Sequence, residues 1–562
     1  MTPAVRTRVV SLVLFHAALV SGPLHAALFW VGSEAGCTHS TLQAAINAAQ
    51  ANGPGADEIR VRTGTFLNQN LSIEDHSLSI SGGWNACGAA AQQTARSVLS
   101  AGASAGTYGS NPVLRIRMLA GPQSVSLRNL LIQDGYGQAV DGGGIHIYGR
   151  ASVVLENVQV DHNYTFSIGG GIYINGSGST APATVELHRN VTISNNRAEF
   201  TGGGIYGRHA NIRIRADLTD IVGNLAGFGG GIGVEQATIT VGAVGQPVPY
   251  QNATGAKIRN NRAVQGGGVW LINHATLDAR ELSLEGNIAT AGNSSGGGIY
   301  ADSNAFVRMA RDYPDANVVS CPADQNCSRI VGNRAGNGCP GTNGHGGGAY
   351  FDGANGFFYQ TMFLENCAYG SPALNTWGAM LVLEGVVVAK NRLASRGSDQ
   401  TGRRVVSHAS RSGNPISFSD IRFSTFADNV EVQSDGSVSP AMAVQLINDS
   451  SWSHELVASA FAEPVSVSGS FDAYGPCNRI QLQSGNFVNP AANDYRPTLA
   501  GFLVDACSEA SISHFIQYTD PRKVARCQDH SRPDQGGKCD VGAYELPTDI
   551  PADRIFAHGF EN

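Results

Sequence analysis

Acidic residues recur at one position of a glycine-rich repeat and could take part in catalysis. Asp302 and Asp352 stand at the same distance after successive glycine triplets, and Glu235 holds that place after an earlier triplet. Paired carboxylates act as general acid and base in glycoside hydrolysis, and their oxygens also bind Ca²⁺. His345 stands directly before the triplet that begins at Gly346. We take Asp302, Asp352 and His345 as candidate catalytic residues; the alternative is solvated surface acids.

A second set of candidates is aromatic. The second residue after five of the seven triplets is Tyr or Trp, at a position expected to face outward. Aromatic faces suit the apolar faces of sugar rings, so a row of them would bind an elongated glycan. Alternatively, the rings stack on one another and stabilise the sheet. The candidate ligand-binding residues are Tyr173, Tyr206, Trp270, Tyr300 and Tyr350.

The elements that would position these residues follow from the repeat itself. Glycine triplets begin at Gly142, Gly169, Gly202, Gly229, Gly266, Gly296 and Gly346. Each is followed by a short strand-like alternation, and helical periodicity is absent. Strands this short cannot bury their faces alone, whereas stacked coils would bury a continuous core. The variable spacing between triplets favours a parallel β-helix, whose loops lengthen without disturbing the coil.

An asparagine precedes six of the seven triplets at a corresponding position. The series contains Asn163, Asn196, Asn224, Asn261, Asn287 and Asn333, and Asn366, Asn391 and Asn429 continue it. Asparagine tolerates left-handed turns, and stacked amides can hydrogen-bond from coil to coil. We interpret the column as structural and not catalytic.

The sequence divides into five segments. Residues 1–26 carry basic, apolar and small residues in the order of a secretory signal peptide. Residues 27–54 form an N-terminal cap with a short amphipathic helix, and residues 55–440 form the β-helix. The repeat decays in residues 441–545, a capping or anchor-like region, and residues 546–562 form a linker and tail.

Composition limits the possible partners and the compartment. The formal net charge is −7 with only four lysines, which argues against nucleic-acid binding. The apolar run near the start is too short to span a bilayer, so we expect no transmembrane segment. Ten cysteines fall in local groups without a C-x2-C pair, which favours disulfides over zinc and an oxidising compartment. We therefore expect a secreted or cell-surface protein that is monomeric. The sequence identifies no cofactor.

The repeats resemble those of a known superfamily. GGG-I-Y with an upstream N-x-A is similar to the repeats of right-handed parallel β-helix proteins of the pectin-lyase-like superfamily, especially the GGAI-type repeats of bacterial polymorphic outer-membrane proteins. The segment TLQAAINAAQANGPGADEIRVRTGTF resembles their N-terminal coil, and CDVGAYELP resembles the close of choice-of-anchor domains. RIFAHGFEN resembles a terminal tag of exported Gram-negative proteins. The resemblance implies an all-β, right-handed parallel β-helix with an α-helical N-terminal cap and an irregular disulfide-bearing C-terminal region.

Two classes of function remain open. Gly344-His345-Gly346 resembles the GHG element of polygalacturonases, but the NTD, adjacent DD and RIK elements are missing. The incomplete set favours a non-catalytic surface protein for adhesion or for recognition of a polysaccharide or cell-surface glycan. The alternative is a secreted polysaccharide lyase or glycoside hydrolase, and one fold hosts both.

Overall fold

The computed structural model of the protein describes most of the sequence. The described residues are 26–92, 95–104, 106–138, 140–215, 218–242, 255–290, 296–310, 328–339, 343–378, 380–394, 404–409, 418–447, 454–468, 476–498, 502–512, 526–527 and 537–545. Apart from its last residue, the predicted signal peptide lies outside them, as does the predicted tail 546–562.

Each coil adds strands to two ladders of parallel strands in one broad sheet. Ladder 1 begins after the glycine triplets and comprises Leu71–Glu74, the first parts of Leu114–Arg128 and Ile145–Glu156, Ile172–Asn175, Ile205–Arg208, Ile232–Glu235, Val269–Ile272, Ile299–Asp302, Ala349–Asp352, Leu374–Trp377, Arg404–Ala409, Met442–Ile447 and Val465–Ser468. Ladder 2 follows across a turn and comprises Leu28–Val31, Asp57–Arg62, Leu78–Trp84, the second parts of the two long strands, Ala183–Arg189, Ala210–Ile214, Thr238–Val241, Thr276–Arg280, Phe306–Ala310, Asn355–Tyr359, Met380–Glu384, Phe418–Arg422 and His454–Val457. Ladder 1 thus continues beyond residue 440.

Two further ladders complete the circuit of each coil. Ladder 3 comprises Thr65–Phe66, Ser97–Ser100, Leu130–Gln133, Gln159–Asp161, Thr192–Ser194, Asp220–Val222, Ala256–Arg259, Leu282–Glu285, Arg329–Val331, Met362–Leu364, Val387–Ala389, Thr425–Ala427, Ala460–Phe461 and Arg479–Ile480. Ladder 4 comprises Tyr136–Gly137, Tyr164–Thr165, Arg197–Ala198, Arg262–Ala263, Ile288–Ala289, Arg334–Ala335, Cys367–Ala368, Arg392–Ala394 and Val430–Val432, with Val438–Pro440 antiparallel at its end. Two isolated bridges through Leu225 join Arg197 to Arg262 across a coil that has no ladder-4 strand of its own.

The interior of the coils is a continuous apolar core. The first residue after each triplet faces inward, as the alternation predicts. These residues have no exposed surface: Ile145, Ile172, Ile205, Ile232, Val269, Ile299 and Ala349. The fold is a parallel β-helix, and the predicted fold class is confirmed.

The asparagine column is fully buried and forms a directional hydrogen-bond chain between coils. The main-chain N–H and Nδ2 of Asn224 both donate to Oδ1 of Asn261, each at 2.9 Å. Asn261 donates in the same way to Asn287, at 3.1 and 3.0 Å. The chain ends where Asn429 donates to the buried carboxylate of Glu463. The column is therefore structural, as its spacing predicts.

The predicted amphipathic helix closes the N-terminal end of the coils. It spans Leu42–Ala51, and the Thr41 side chain accepts a hydrogen bond from the main chain of Ala44. Its apolar face is buried: Leu42, Ala45, Ile46 and Ala49. The helix contacts strands of ladders 1 and 2 and so covers the first coils.

The C-terminal segment folds back on the outside of the coils. Ladder 3 turns apolar on its outer face at Met362 and Val387, and these residues pack with Phe487, Tyr495 and Tyr544 in a second core. The segment contains an antiparallel hairpin of Phe487–Asn489 and Asp494–Pro497, two single-turn helices at Ser484–Asn486 and Pro490–Ala492, and a short helix at Glu509–Ile512.

The C-D-V-G-A-Y-E sequence fixes this segment to the coils. Gly542 donates its N–H to Ala458, and Ala543 donates to Thr425 of ladder 3. The guanidinium of Arg526 donates to the carbonyls of Gly542 and Ala543, and it lies 4.0 Å from the fully buried Glu545. The C-D-V-G-A-Y-E segment therefore packs the C-terminal region against ladder 3.

Disulfides occur within the predicted local groups of cysteines. They join Cys37 to Cys87, Cys339 to Cys367, Cys477 to Cys507 and Cys527 to Cys539. Cys321 and Cys327 lie outside the described residues. Neither described α-helix has the length and apolar character that crossing a membrane would need.

Two histidines lie in the interior of the late coils. His408 and His454 are buried with their rings edge to face, 5.3 Å apart. Thr376 contacts Nδ1 of His408 at 2.6 Å, and Ser419 contacts Nδ1 of His454 at 2.5 Å. Burial lowers the pKa of His408 to about 3 and that of His454 to about 4, so both rings are neutral in the folded state.

Candidate functional site

The predicted aromatic column is present but consists of two separate stacks. Tyr173 and Tyr206 are in register with centroids 5.8 Å apart, and Tyr300 and Tyr350 are in register at 5.7 Å. Trp270 is in register with Tyr300, but its ring contacts Phe228 instead, at 5.4 Å. Since stacked rings cover one another's faces, a ladder of this kind presents ring edges to solvent.

Burial distinguishes the two stacks. Tyr173 and Tyr206 are each only 6% exposed, and burial raises the pKa of both hydroxyls, that of Tyr173 to about 12. Their hydroxyls are engaged locally, by the Asn175 amide and by Glu235. These two rings are thus covered and offer no platform for a sugar. Trp270, Tyr300 and Tyr350 are half-buried.

The structure brings two of the three predicted catalytic residues together. Asp302 and Asp352 are in register on adjacent coils of ladder 1, both half-buried. The Tyr300 hydroxyl donates to Oδ2 of Asp302 at 3.2 Å, and Asp302 lies at a turn where its Oδ1 accepts from the main chain of Ser303. His345 lies before the triplet, at the opposite end of the strand Ala349–Asp352.

Glu235 is separated from this pair. It is in register with Ile272, which occupies the intervening coil, and it accepts hydrogen bonds from Tyr206 and Asn273. Among the described residues, three potential metal ligands come together at Glu34, Cys37 and Cys87. Because those two cysteines form a disulfide, that grouping is not a metal centre.

A more exposed aromatic cluster lies on ladder 4, at a position in the coil that the triplet alignment did not include. We call Tyr108, Tyr136, Tyr164 and Phe166, with the ring of His162, the aromatic cluster. Tyr136 and Tyr164 stack at 5.3 Å, Tyr108 stacks on His162 at 4.7 Å, and Phe166 lies 5.1 Å from Tyr164. Tyr108 is 43% exposed and Phe166 is 48% exposed. Exposed apolar patches of this kind mark binding sites more often than isolated rings do.

Local structure explains how these rings meet. Tyr136 and Tyr164 occupy the same register of ladder 4, directly after the position of the asparagine column, and therefore face outward. His162 has a left-handed conformation, with a φ of 54°, which turns the chain between ladders 3 and 4. Its Nδ1 lies 2.8 Å from the buried carboxylate of Asp134, which fixes the ring beneath Tyr108.

Polar groups border the aromatic cluster on the following coil. The Tyr164 hydroxyl donates to Glu199 at 2.7 Å, and the Arg197 guanidinium lies 5.3 Å from the Tyr164 ring while also donating to Glu199 at 2.7 Å. The arrangement combines apolar ring surface with hydrogen-bond donors and acceptors. It suits the recognition of a polyhydroxylated ligand by contact and hydrogen bonding.

Sequence reasoning missed this cluster because it aligned only the residues that follow the triplets. The residue after each column asparagine also faces outward, and this register contains Tyr164. Reading that position would have indicated Tyr164, and its partner Tyr136 one coil earlier. Tyr108 belongs to an irregular segment, and nothing in the repeat indicates its contact with His162.

Comparison with known proteins does not assign the chain to a family. No protein-family model matches it, and no curated protein matches it. A crystal structure of pectate lyase Pel9A aligns with 93% of this chain and 97% of that chain, at 13% identity and a TM-score of 0.27. The roles of individual residues therefore rest on their geometry in this chain.

Proposed function

We propose that this chain is an exported, non-catalytic β-helix protein that binds a polysaccharide or cell-surface glycan at the aromatic cluster. The supporting observation is the exposure of Tyr108 and Phe166 beside stacked Tyr136 and Tyr164, with donors and acceptors at the border. The proposed binding surface therefore lies on ladder 4 and not on the aromatic column that follows the triplets. Four disulfides among the described residues are consistent with an oxidising compartment, and a signal-like N-terminal sequence supports export.

The proposed glycan site can be tested by replacing its exposed rings, with an exposed aromatic residue elsewhere on the molecule as the control. Tyr108→Ala and Phe166→Ala together should weaken binding of neutral xylan, mannan or glucan oligosaccharides at least about tenfold, because covering about 40 Å² of each ring is worth roughly 1 kcal/mol. Trp377 is 43% exposed on ladder 1, away from the cluster, and Trp377→Ala should leave affinity unchanged. Equal losses in both variants, or no binding by the folded wild type, would contradict the proposal.

The registered carboxylates support a second candidate, a polysaccharide lyase or glycoside hydrolase. Two carboxylates close to each other can act as general acid and base or bind Ca²⁺, and the register places Asp302 and Asp352 on adjacent coils. Activity should be followed as new reducing ends and as absorbance of unsaturated uronates, with and without Ca²⁺. Turnover that disappears in Asp302→Asn and Asp352→Asn would replace the non-catalytic proposal. Turnover that survives both changes would exclude this site.

A further inference from the structure

Arginine and apolar residues alternate strictly along ladder 4. The outward residue of successive coils, starting from the aromatic cluster, is Tyr136, Tyr164, Arg197, Leu225, Arg262, Ile288, Arg334, Cys367, Arg392 and Val430. We call Arg197, Arg262, Arg334 and Arg392 the arginine row. Successive coils lie about 4.8 Å apart, so neighbouring members of the row are roughly 9.6 Å apart.

The last three members of the row are available for a ligand. Arg262 and Arg392 are exposed, Arg334 is half-buried, and none of them forms an ion pair with a described residue. Nε of Arg334 is buried without a hydrogen-bond partner among the described residues. A buried donor of this kind is costly unless a ligand or water satisfies it.

Nearby acids leave most of this positive charge uncompensated. On the adjoining outer face of ladder 3, Asp220 is paired with Arg259 at 2.6 Å and Glu285 with Arg329 at 2.9 Å. Glu199 pairs with Arg197, the first member of the row, at 2.7 Å, and the exposed Glu365 lies on the turn that precedes Cys367. The row is therefore a narrow line of positive charge on a protein with a formal net charge of −7.

We infer that the arginine row extends the aromatic cluster into one linear site for an acidic polysaccharide that presents one charge per disaccharide on a given side. This inference rests on the proposed function and names its ligand class. Guanidinium groups pair well with carboxylates, and their two-coil period corresponds to the length of two linked sugar rings. A line one residue wide fits an extended chain and not a broad membrane surface. Leu225, which is exposed, and Ile288, which is half-buried, would contact the sugar rings between the first three arginines. Cys367, between Arg334 and Arg392, is buried by its disulfide with Cys339 and would make no such contact.

Hyaluronan oligosaccharides and their carboxyl-reduced, neutral derivative are the matched probes for this site. Hyaluronan carries one carboxylate per disaccharide, and reduction removes that charge alone. At low salt, the full chain should bind hyaluronan at least about tenfold more tightly than the neutral derivative, and NaCl should abolish the difference. Arg262→Gln, Arg334→Gln and Arg392→Gln together should reduce hyaluronan affinity to that of the neutral derivative.

An off-row variant with the same loss of charge provides the control. Arg150, Arg208 and Arg213 are exposed on ladders 1 and 2, and none forms an ion pair with a described residue. Their replacement by glutamine should leave hyaluronan affinity within about twofold of the wild type at about 0.1 M salt, because these residues lie on other ladders and charges more than about 10 Å from a ligand are screened at that concentration. Unfolding midpoints of both triple variants establish that any loss of binding is not loss of fold.

The outcomes separate this inference from the proposed function. Neutral glycan binding that needs Tyr108 and Phe166 but ignores the arginine row would leave the proposed function standing and overturn the inference. Equal losses in the two triple variants, or binding to anionic phospholipid vesicles without binding to hyaluronan, would also overturn it. Loss of hyaluronan affinity in the row variant alone supports the linear site.

Discussion

Replacing one asparagine of the buried column tests whether the hydrogen-bond chain stabilises the coils in one direction. In Asn261→Ala, the main-chain N–H and one Nδ2 hydrogen of Asn224 lose their acceptor, both bonds being 2.9 Å. A buried donor left without a partner costs about 1–3 kcal/mol, so two should lower stability by roughly 2–6 kcal/mol. The carbonyl of Ile221 also loses the donor it has at 2.8 Å.

The effect should be stronger in the preceding coil than in the following one. The main-chain N–H of Asn287 still donates to Asn333 at 2.9 Å, so that amide keeps its protection. We expect faster hydrogen exchange in peptides containing residue 224 and unchanged exchange in those containing residue 287, together with a lower urea midpoint. Asn211→Ala removes the same atoms from the outer face of ladder 2 and should cost under about 0.5 kcal/mol. Symmetric exchange, or equal destabilisation by the two variants, would refute the reasoning.

Three other predictions concern the interior, the triplets and the C-terminal segment. Burial lowers the pKa of His454 from 6.5 to about 4, so the stability present above pH 6.5 is lost as the pH falls towards 4. In the wild type, this residue should lower the free energy of unfolding by about 2 kcal/mol between about pH 7.5 and pH 5, and His454→Gln should remove that loss. An equal loss in the wild type and the variant would contradict this. A Cβ on Gly267 would lie 2.5 Å from the Ile288 nitrogen, so Gly267→Ala should lower the melting temperature by several degrees, whereas Gly121→Ala, with nothing within 4 Å, should not. Arg526→Leu removes the guanidinium donors to the buried carbonyls of Gly542 and Ala543 and should cost about 3–6 kcal/mol, seen as early release of the C-terminal segment by thermolysin.

The sequence predicts the structure of each coil because the patterns that determine it lie within a short stretch of the chain. Strand alternation and the glycine triplets determine which residues face inward, and the asparagine column marks the same corner of successive coils. The register of Asp302 with Asp352 follows from the same alignment. These features need no knowledge of distant contacts.

The exposure of side chains depends on contacts that the repeat does not encode. Tyr173 and Tyr206 face away from the core as predicted, yet both are covered. Tyr108 reaches His162 from an irregular segment over fifty residues earlier in the chain. The sequence does indicate that the C-terminal segment packs on the coils, because the outward position that is Arg329 on one coil is the apolar Met362 on the next. Interpreting that change requires knowing which ladder the segment covers.

The asparagine chain also determines how the length of this protein can vary. Each asparagine requires only an acceptor one coil further on. Complete coils could therefore be duplicated or deleted, and every remaining asparagine would still meet the same kind of acceptor. Glu463 terminates the series, because its carboxylate accepts from Asn429 and, unlike an asparagine amide, has no N–H that would require another rung. This carboxylate therefore ends the asparagine series and not the coils themselves, since the strands Val465–Ser468 and Arg479–Ile480 still extend ladders 1 and 3 beyond it.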